Sequence, residues 1–237
     1  MSDLPIKSIL KEEALQLKEE LDITLKLDGT LVKYIDGKLM SPRCERTERY
    51  QHIADILIKN NFPNCMGEMF IDKPGSNVFD ISKKENWSKA KFMPFDLLDT
   101  SLPYLERAKI LDDKIVEVNN PSIFRMIRFS TFKEGWDYVL RHQSEGLVMR
   151  NNINWYKCKL LQEVKIEIVK HIPNKVKGTF VLKNGSHISG TSVGFVNQFL
   201  EAKKKGVTPI AEIEFPFLTN DGRYFQPRLR QITEVQE

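Results

Sequence analysis

Five short clusters combine residue types that can serve one reaction. They are Lys26-Leu27-Asp28-Gly29, Gly67-Glu68, Phe95-Asp96, Glu145-Gly146-Leu147-Val148 and Lys157-Cys158-Lys159. A lysine beside an Asp-Gly turn is an amine nucleophile on a tight backbone. Glu68 and Glu145 offer hard oxygen donors of the kind Mg²⁺ accepts, an ion that retains waters and bridges to phosphate oxygens. Phe95 offers an aromatic face for a base. Lys157 and Lys159, at alternate positions of a strand, point the same way and can converge on one triphosphate. Together these are the parts of a nucleotidyl-transfer site. Each alone also has an ordinary reading: a solvated strand-end lysine, surface glutamates, a core phenylalanine.

The surrounding pattern predicts what positions them. Apolar residues from Ser8 to Leu21 recur near a helical period and predict a leading amphipathic helix. Ile23 to Leu27 and Thr30 to Ile35 are β-rich runs bracketing Asp28-Gly29, with Asp36-Gly37 a second hairpin-type turn before Lys38 to Met40. A helix is expected over Thr47 to Asn60, buried strands over Cys65 to Ile71 and Lys91 to Leu98, a helix over Phe132 to His142 and a strand over Glu145 to Arg150. Strands mixed with helices in this order predict an α+β domain with antiparallel sheets over residues 1–160. Beyond Trp155 to Leu160 the character changes. Runs at Val164 to Val169, Lys177 to Leu182, Ile210 to Phe217 and Tyr224 to Ile232, with one helical segment at Val193 to Lys205, predict a small OB-fold β-barrel over residues 161–237.

Composition bounds the possibilities. The 237 residues suffice for one large or two modest cores. No run approaches the roughly 20 apolar residues of a membrane span, and the N-terminus carries charge where a signal peptide needs an apolar core. The expectation is an intracellular, cytoplasmic protein with no membrane partner. Cys44, Cys65 and Cys158 are widely spaced and lack neighbours at ligand spacing, so neither a disulfide framework nor a zinc site is indicated. Residues 161–237 carry 11 Lys/Arg against 8 Asp/Glu, most of the net +4. A basic tail suits a phosphate backbone, or is simply a solvated surface.

In the order of its clusters the chain resembles the covalent nucleotidyltransferases, and within them the ATP-dependent DNA ligases in a minimal two-domain form. That resemblance implies that Lys26 attacks the α-phosphate of ATP and carries AMP as a phosphoramidate, with Asp28 and Gly29 shaping its loop. An alkyl ammonium must lose a proton before attack, which the nearby cations Lys157 and Lys159 would favour. Glu68 is implied near the ribose and metal, Glu145 at the catalytic Mg²⁺, with Mn²⁺ as an alternative ion, and Phe95 on the adenine. Arg43, or Arg46 in a shifted register, falls where DNA ligases contact the nucleotide and the nick 5′-phosphate. Lys177-Gly178 to Leu182, Gly190-Thr191 to Phe195 and Asp221-Gly222 through Pro227-Arg228 look like the ligase OB version. Arg228 and Arg230 are implied at the ATP pyrophosphate when the OB domain closes, or else pair with acids on the barrel surface. The pattern is departed from at Leu31, where an arginine is usual, and at Thr24, where a glutamate commonly meets the adenine amine.

The expected activity is sealing of 3′-hydroxyl/5′-phosphate nicks in duplex DNA, for repair, replication or a virus. The expected state is a monomer, without an added helical DNA-binding domain or zinc finger. The rivals are an RNA ligase, which Leu31 favours and the ligase-like OB segment opposes, a capping-type nucleotidyltransferase, whose GTP use Phe95 and the overall spacing oppose, and a non-catalytic nucleic-acid-binding protein on a ligase scaffold.

Overall fold

Alternation of apolar and polar residues gives the first half of the chain its strands, and two turns decide which sheet each strand joins. The computed structural model describes residues 6–42, 44–73, 78–173, 178–219 and 221–235, and divides into two units, Met1–Lys159 and Leu160–Glu237. The first unit runs β1 (Ile6–Ser8), α1 (Lys11–Gln16), β2 (Asp22–Lys26), β3 (Thr30–Ile35), β4 (Lys38–Met40), α2 (Gln51–Lys59), β5 (Cys65–Ile71), α3 (Val78–Ser82), β6 (Ala90–Leu97) and α4 (Tyr104–Val118). It continues with β7 (Arg128–Phe129), α5 (Phe132–His142), β8 (Gly146–Arg150) and β9 (Trp155–Lys159). One sheet has the order β1-β9-β8-β2-β7, the other β4-β3-β5-β6. All their pairings are antiparallel except that of β1 with β9.

The two Asp-Gly turns behave differently. Asp36 and Gly37 both have positive φ, and they close the β3–β4 hairpin, as two-residue turns that match strand twist do. Asp28-Gly29 is no hairpin: β2 lies in the first sheet and β3 in the second, so the chain crosses between sheets there. Gly29 is required by proximity, since a Cβ would lie 2.3 Å from the Met69 carbonyl oxygen and 3.0 Å from Cγ of Glu68. The crossover puts the strand end bearing Lys26 next to the strand bearing Glu68.

The leading helix is much shorter than its periodicity predicts. Only Lys11–Gln16 is helical, Leu10 and Leu15 stay exposed, and the chain is extended again at Leu17. Tertiary hydrogen bonds outweigh the local pattern. Ile6–Ser8 pairs in parallel with β9, and the Glu19 carboxylate accepts from the Tyr156 hydroxyl (2.7 Å) and the Asn154 amide (3.0 Å).

Helix α4 escapes the apolar-period test because its core-facing stripe, Tyr104, Arg107, Ala108, Leu111, Asp112 and Ile115, contains two charges. Both are buried because both are paired. Arg107 donates to both oxygens of Asp96 on β6 (2.7 and 2.9 Å), and Asp112 accepts from Arg128 (2.5 Å). α5 is the opposite case. Its limits are local, set by Thr131, whose hydroxyl accepts from the Glu134 amide while the Glu134 carboxylate accepts from the Ser130 amide.

The second unit runs β10 (Gln162–Pro173), β11 (Gly178–Leu182), β12 (His187–Thr191), α6 (Val193–Lys204), β13 (Thr208–Phe215) and β14 (Arg228–Val235). It is one antiparallel sheet in the order β12-β11-β10-β13-β14. Ile168, Phe180, Leu182, Ile188, Phe199, Ala211, Ile213 and Phe215 form its core. The last strand begins at Arg228 rather than near Tyr224. Before it, Thr219 organises a turn by accepting the Arg223 amide on its hydroxyl (3.1 Å), and Pro227 has no N–H to give a ladder.

Candidate active site

Strand register brings the chemical residues of the first sheet into rows. Lys26 is level with Gly146, and Gly146 with Lys159; one step in are Thr24, Val148 and Lys157; the next row is Asp22, Arg150 and Trp155. Residues directly opposite on antiparallel strands share a face, so Lys26, Lys157 and Lys159 line one side together with Thr24, Arg150 and Trp155.

Glu145, immediately before β8, ties the end row together. Its Oε2 lies 2.6 Å from Lys26 Nζ and its Oε1 2.6 Å from Lys159 Nζ, with the carboxylate side chain 11% exposed. Gly146 makes the turn possible: its φ is +147°, and a Cβ there would meet the Cys158 carbonyl oxygen at 2.1 Å.

From the second sheet Glu68 enters the same electrostatic field. Loss of hydration pushes its carboxyl up to about 7, against the pull of Lys26 and reinforced by the negative charges of Glu145 and Asp28. Asp28 is pushed up to about 6, by burial first and Glu145 second, with Lys26 and Lys159 opposing. Three carboxyl groups and two lysines thus act on one another's charge.

Their oxygens suit Mg²⁺, which needs only one or two protein carboxylates when phosphates and water complete its shell. Among the described residues no group of three His, Cys, Asp or Glu is arranged as a ready-made metal cage. Glu145 and Glu68 are the donors that fit such an ion.

Phe95 sits at a β-bulge, where the pairing steps from Met66↔Asp96 to Gly67↔Pro94. The residue is only 8% exposed, and its ring meets Trp155 edge-on, with centroids 6.3 Å apart. The Arg150 guanidinium lies 4.8 Å from the Phe95 ring centre and 4.9 Å from that of Trp155. Leu27 and Leu31 pack against the same cluster.

The sequence matches no protein-family model, and no curated protein is significantly similar to it. Solved structures do share its fold. A Lig E DNA ligase, described as binding DNA with a minimal scaffold, superposes with a TM-score of 0.71 at 14% identity, over 98% of this chain and 100% of that one. The ligase domain of LigD from M. tuberculosis gives 0.55 at 18% identity, over 98% of each chain. The Chlorella virus DNA ligase-adenylate gives 0.51 at 13%, over 98% of this chain and 99% of that one. The chain has the fold of the ATP-dependent DNA ligases.

Within this ligase fold the structure gathers Lys26, Asp28, Gly29, Glu68, Glu145 and Lys159, with Lys157 on the same sheet face and Phe95 among the neighbouring aromatics. Arg46 is engaged locally, its Nε donating to the Ser41 hydroxyl (3.3 Å) and its amide to the Leu39 carbonyl (2.6 Å). Arg43 lies outside the described residues. Arg228 is exposed on β14 of the second unit, and Arg230 there donates through Nε to Glu214 (2.7 Å), the acid-paired arrangement the sequence left open.

Sequence alone assigns no role to Arg150 or Trp155, yet both belong to the site face. For Trp155 the signal was present, because it alternates with Lys157 and Lys159. For Arg150 the pairing of β8 with β2 was needed, and that pairing joins residues 126 positions apart.

Proposed function

We propose that the chain is an ATP-dependent DNA ligase that seals 3′-hydroxyl/5′-phosphate nicks through a lysyl-AMP intermediate on Lys26. The observation that carries this reading is the single carboxylate of Glu145 held at 2.6 Å by both Lys26 and Lys159, on a ligase fold. The first unit is the adenylation domain. The second is an OB-type domain, supported by five antiparallel strands with a helix between the third and fourth.

The shared carboxylate gives the amine a way to become a nucleophile. The Lys26 ammonium donates to Glu145 Oε2, so that carboxylate can take the proton from the nitrogen and pass it on to solvent. With the proton gone, Glu145 and Lys159 remain as a neutral ion pair beside the uncharged amine. Lys26 then forms an N–P bond to the α-phosphorus of ATP while the bond to the bridging oxygen breaks and pyrophosphate leaves. Lys157 and Lys159 neutralise the departing phosphates. Glu145 and Glu68 would hold an Mg²⁺ ion, or Mn²⁺ in its place, and the ion would supply further charge neutralisation at phosphate oxygens. Next, an oxygen of the nick 5′-phosphate displaces Lys26 from the adenylate. Finally the 3′-hydroxyl attacks that phosphate and releases AMP, restoring the strand. Positioning and electrostatics account for most of such catalysis.

The test is incubation of the chain with Mg²⁺ and α-labelled ATP, followed by denaturing electrophoresis and intact mass. A covalent AMP adduct that disappears in Lys26→Ala, with DNA binding retained, is the expected outcome; an adduct of equal yield in that variant sinks the assignment.

One observation favours joining RNA ends instead. Leu31, where an arginine is usual, packs into the Phe95 cluster and supplies no cation. Sealing rates on nicked duplex DNA and on single-stranded RNA separate the two substrates.

A further inference from the structure

Two buried donors beside Phe95 have no acceptor. Among the described residues, Arg150 Nε and Trp155 Nε1 are without hydrogen-bond partners, although their residues are only 5% and 8% exposed. Burying an N–H without an acceptor costs about 1–3 kcal/mol, and native proteins seldom leave two together. Arg150 is the odder of the pair. A guanidinium is always charged, yet among the described residues no carboxylate forms an ion pair with it. Asp22, opposite it across the β2–β8 pair, is engaged by the Tyr104 hydroxyl (2.9 Å) and Arg128 Nε (3.0 Å). Arg150 has instead the rings of Phe95 and Trp155, the Thr24 hydroxyl as acceptor for Nη1 (3.1 Å), the Met126 sulfur, and a hydrogen bond to the Tyr104 hydroxyl, which itself donates to Asp22. Thr24 is fully engaged as a donor, to the Val148 carbonyl (3.2 Å).

We propose that Arg150 and Trp155 are base-specificity residues: they donate to acceptor atoms on the edge of the purine that stacks at Phe95. The inference rests on the nucleotidyl-transfer reading and deepens it. Thr24 is a weak, uncharged acceptor for an exocyclic amine, whereas the two orphan donors match ring nitrogens. Both residues stand on the face that carries Lys26, two strand rows in from it, the direction in which a nucleotide bound by its phosphates at Lys26 and Lys159 would extend its base. These two donors then read a purine through its acceptors.

The experiment measures the efficiency of covalent labelling of Lys26 in the full chain with Mg²⁺ and ATP, 1-deaza-ATP or 7-deaza-ATP. Each analogue replaces one acceptor nitrogen by C–H. The wild type is expected to take up at least one analogue roughly tenfold or more less efficiently than ATP, the consequence of leaving a buried donor unpaired. Trp155→Phe or Arg150→Met should abolish the difference between ATP and that analogue, read as the ratio of the two labelling efficiencies in the same variant. Trp155→Phe keeps an aromatic ring at the position and removes the N–H together with part of the indole, so the ratio of ATP to analogue within this variant decides the matter together with the wild-type comparison if Arg150→Met does not fold. Equal labelling by all three nucleotides in the wild type, or full discrimination retained in both variants, overturns the proposal and leaves the ligase reading standing. No labelling by any nucleotide removes both.

Discussion

Glu145 holds two ammonium groups with one carboxylate, and the consequence for neighbouring acids can be measured. Glu68 at about 7 and Asp28 at about 6 keep protons in the folded chain that an unfolded chain, with carboxyls near 4, has already released at pH 5 to 6. Their contribution to stability is therefore complete below about pH 4 and is lost as pH rises through 6 and 7. Melting temperatures followed from pH 4 to 8 should show this decline, and Glu68→Gln, neutral throughout, should flatten it relative to the wild type. A variant curve parallel to the wild type's would place the raised group elsewhere.

At the scale of elements, the Phe95-Asp96 pair divides its labour. Phe95 packs against Trp155 and the Arg150 guanidinium, whereas Asp96 anchors α4 to β6 through the buried Arg107. Asp96→Ala leaves that guanidinium without its anion and should cost about 3–5 kcal/mol in urea unfolding, although Asp96 touches none of the site groups. Gly146→Ala tests the opposite coupling. The added methyl meets the Cys158 carbonyl at a backbone angle that favours glycine, for a strain on the order of 1–3 kcal/mol. Because Glu145 and Lys159 flank that contact, adenylate formation should fall more than stability does, read by labelling beside a denaturation curve. Elements bounded by local chemistry were legible in the sequence: α5 over Phe132 to His142, β5 by its short apolar run, the β3–β4 hairpin by Asp36-Gly37. α4 was not, because Arg107 and Asp112 interrupt its apolar stripe and only distant partners make their burial tolerable.

Over the whole molecule the charge is modest, +4, with most of the excess after residue 160. A binder that relies on a few lysine and arginine contacts to phosphate releases counterions, so affinity for nicked duplex should weaken roughly tenfold or more between about 50 and 200 mM salt. Fluorescence anisotropy across that range checks it; a flat response would assign binding to uncharged contacts. The types and order of Lys26, Glu68, Phe95, Glu145, Lys157 and Lys159 were enough to suggest nucleotidyl transfer, since amine, carboxylate, ring and cation are properties of residues and strand alternation is a property of neighbours. Only the tertiary structure decided that Asp28-Gly29 crosses between sheets, that Glu145 bridges two lysines, and that Arg150 and Trp155 stand unpaired beside Phe95. Those facts depend on which strands pair and in what register, β2 with β8 across more than a hundred residues among them, which turns and periodicity cannot encode because the hydrogen bonds and ion pairs that fix it form only when the sheets assemble.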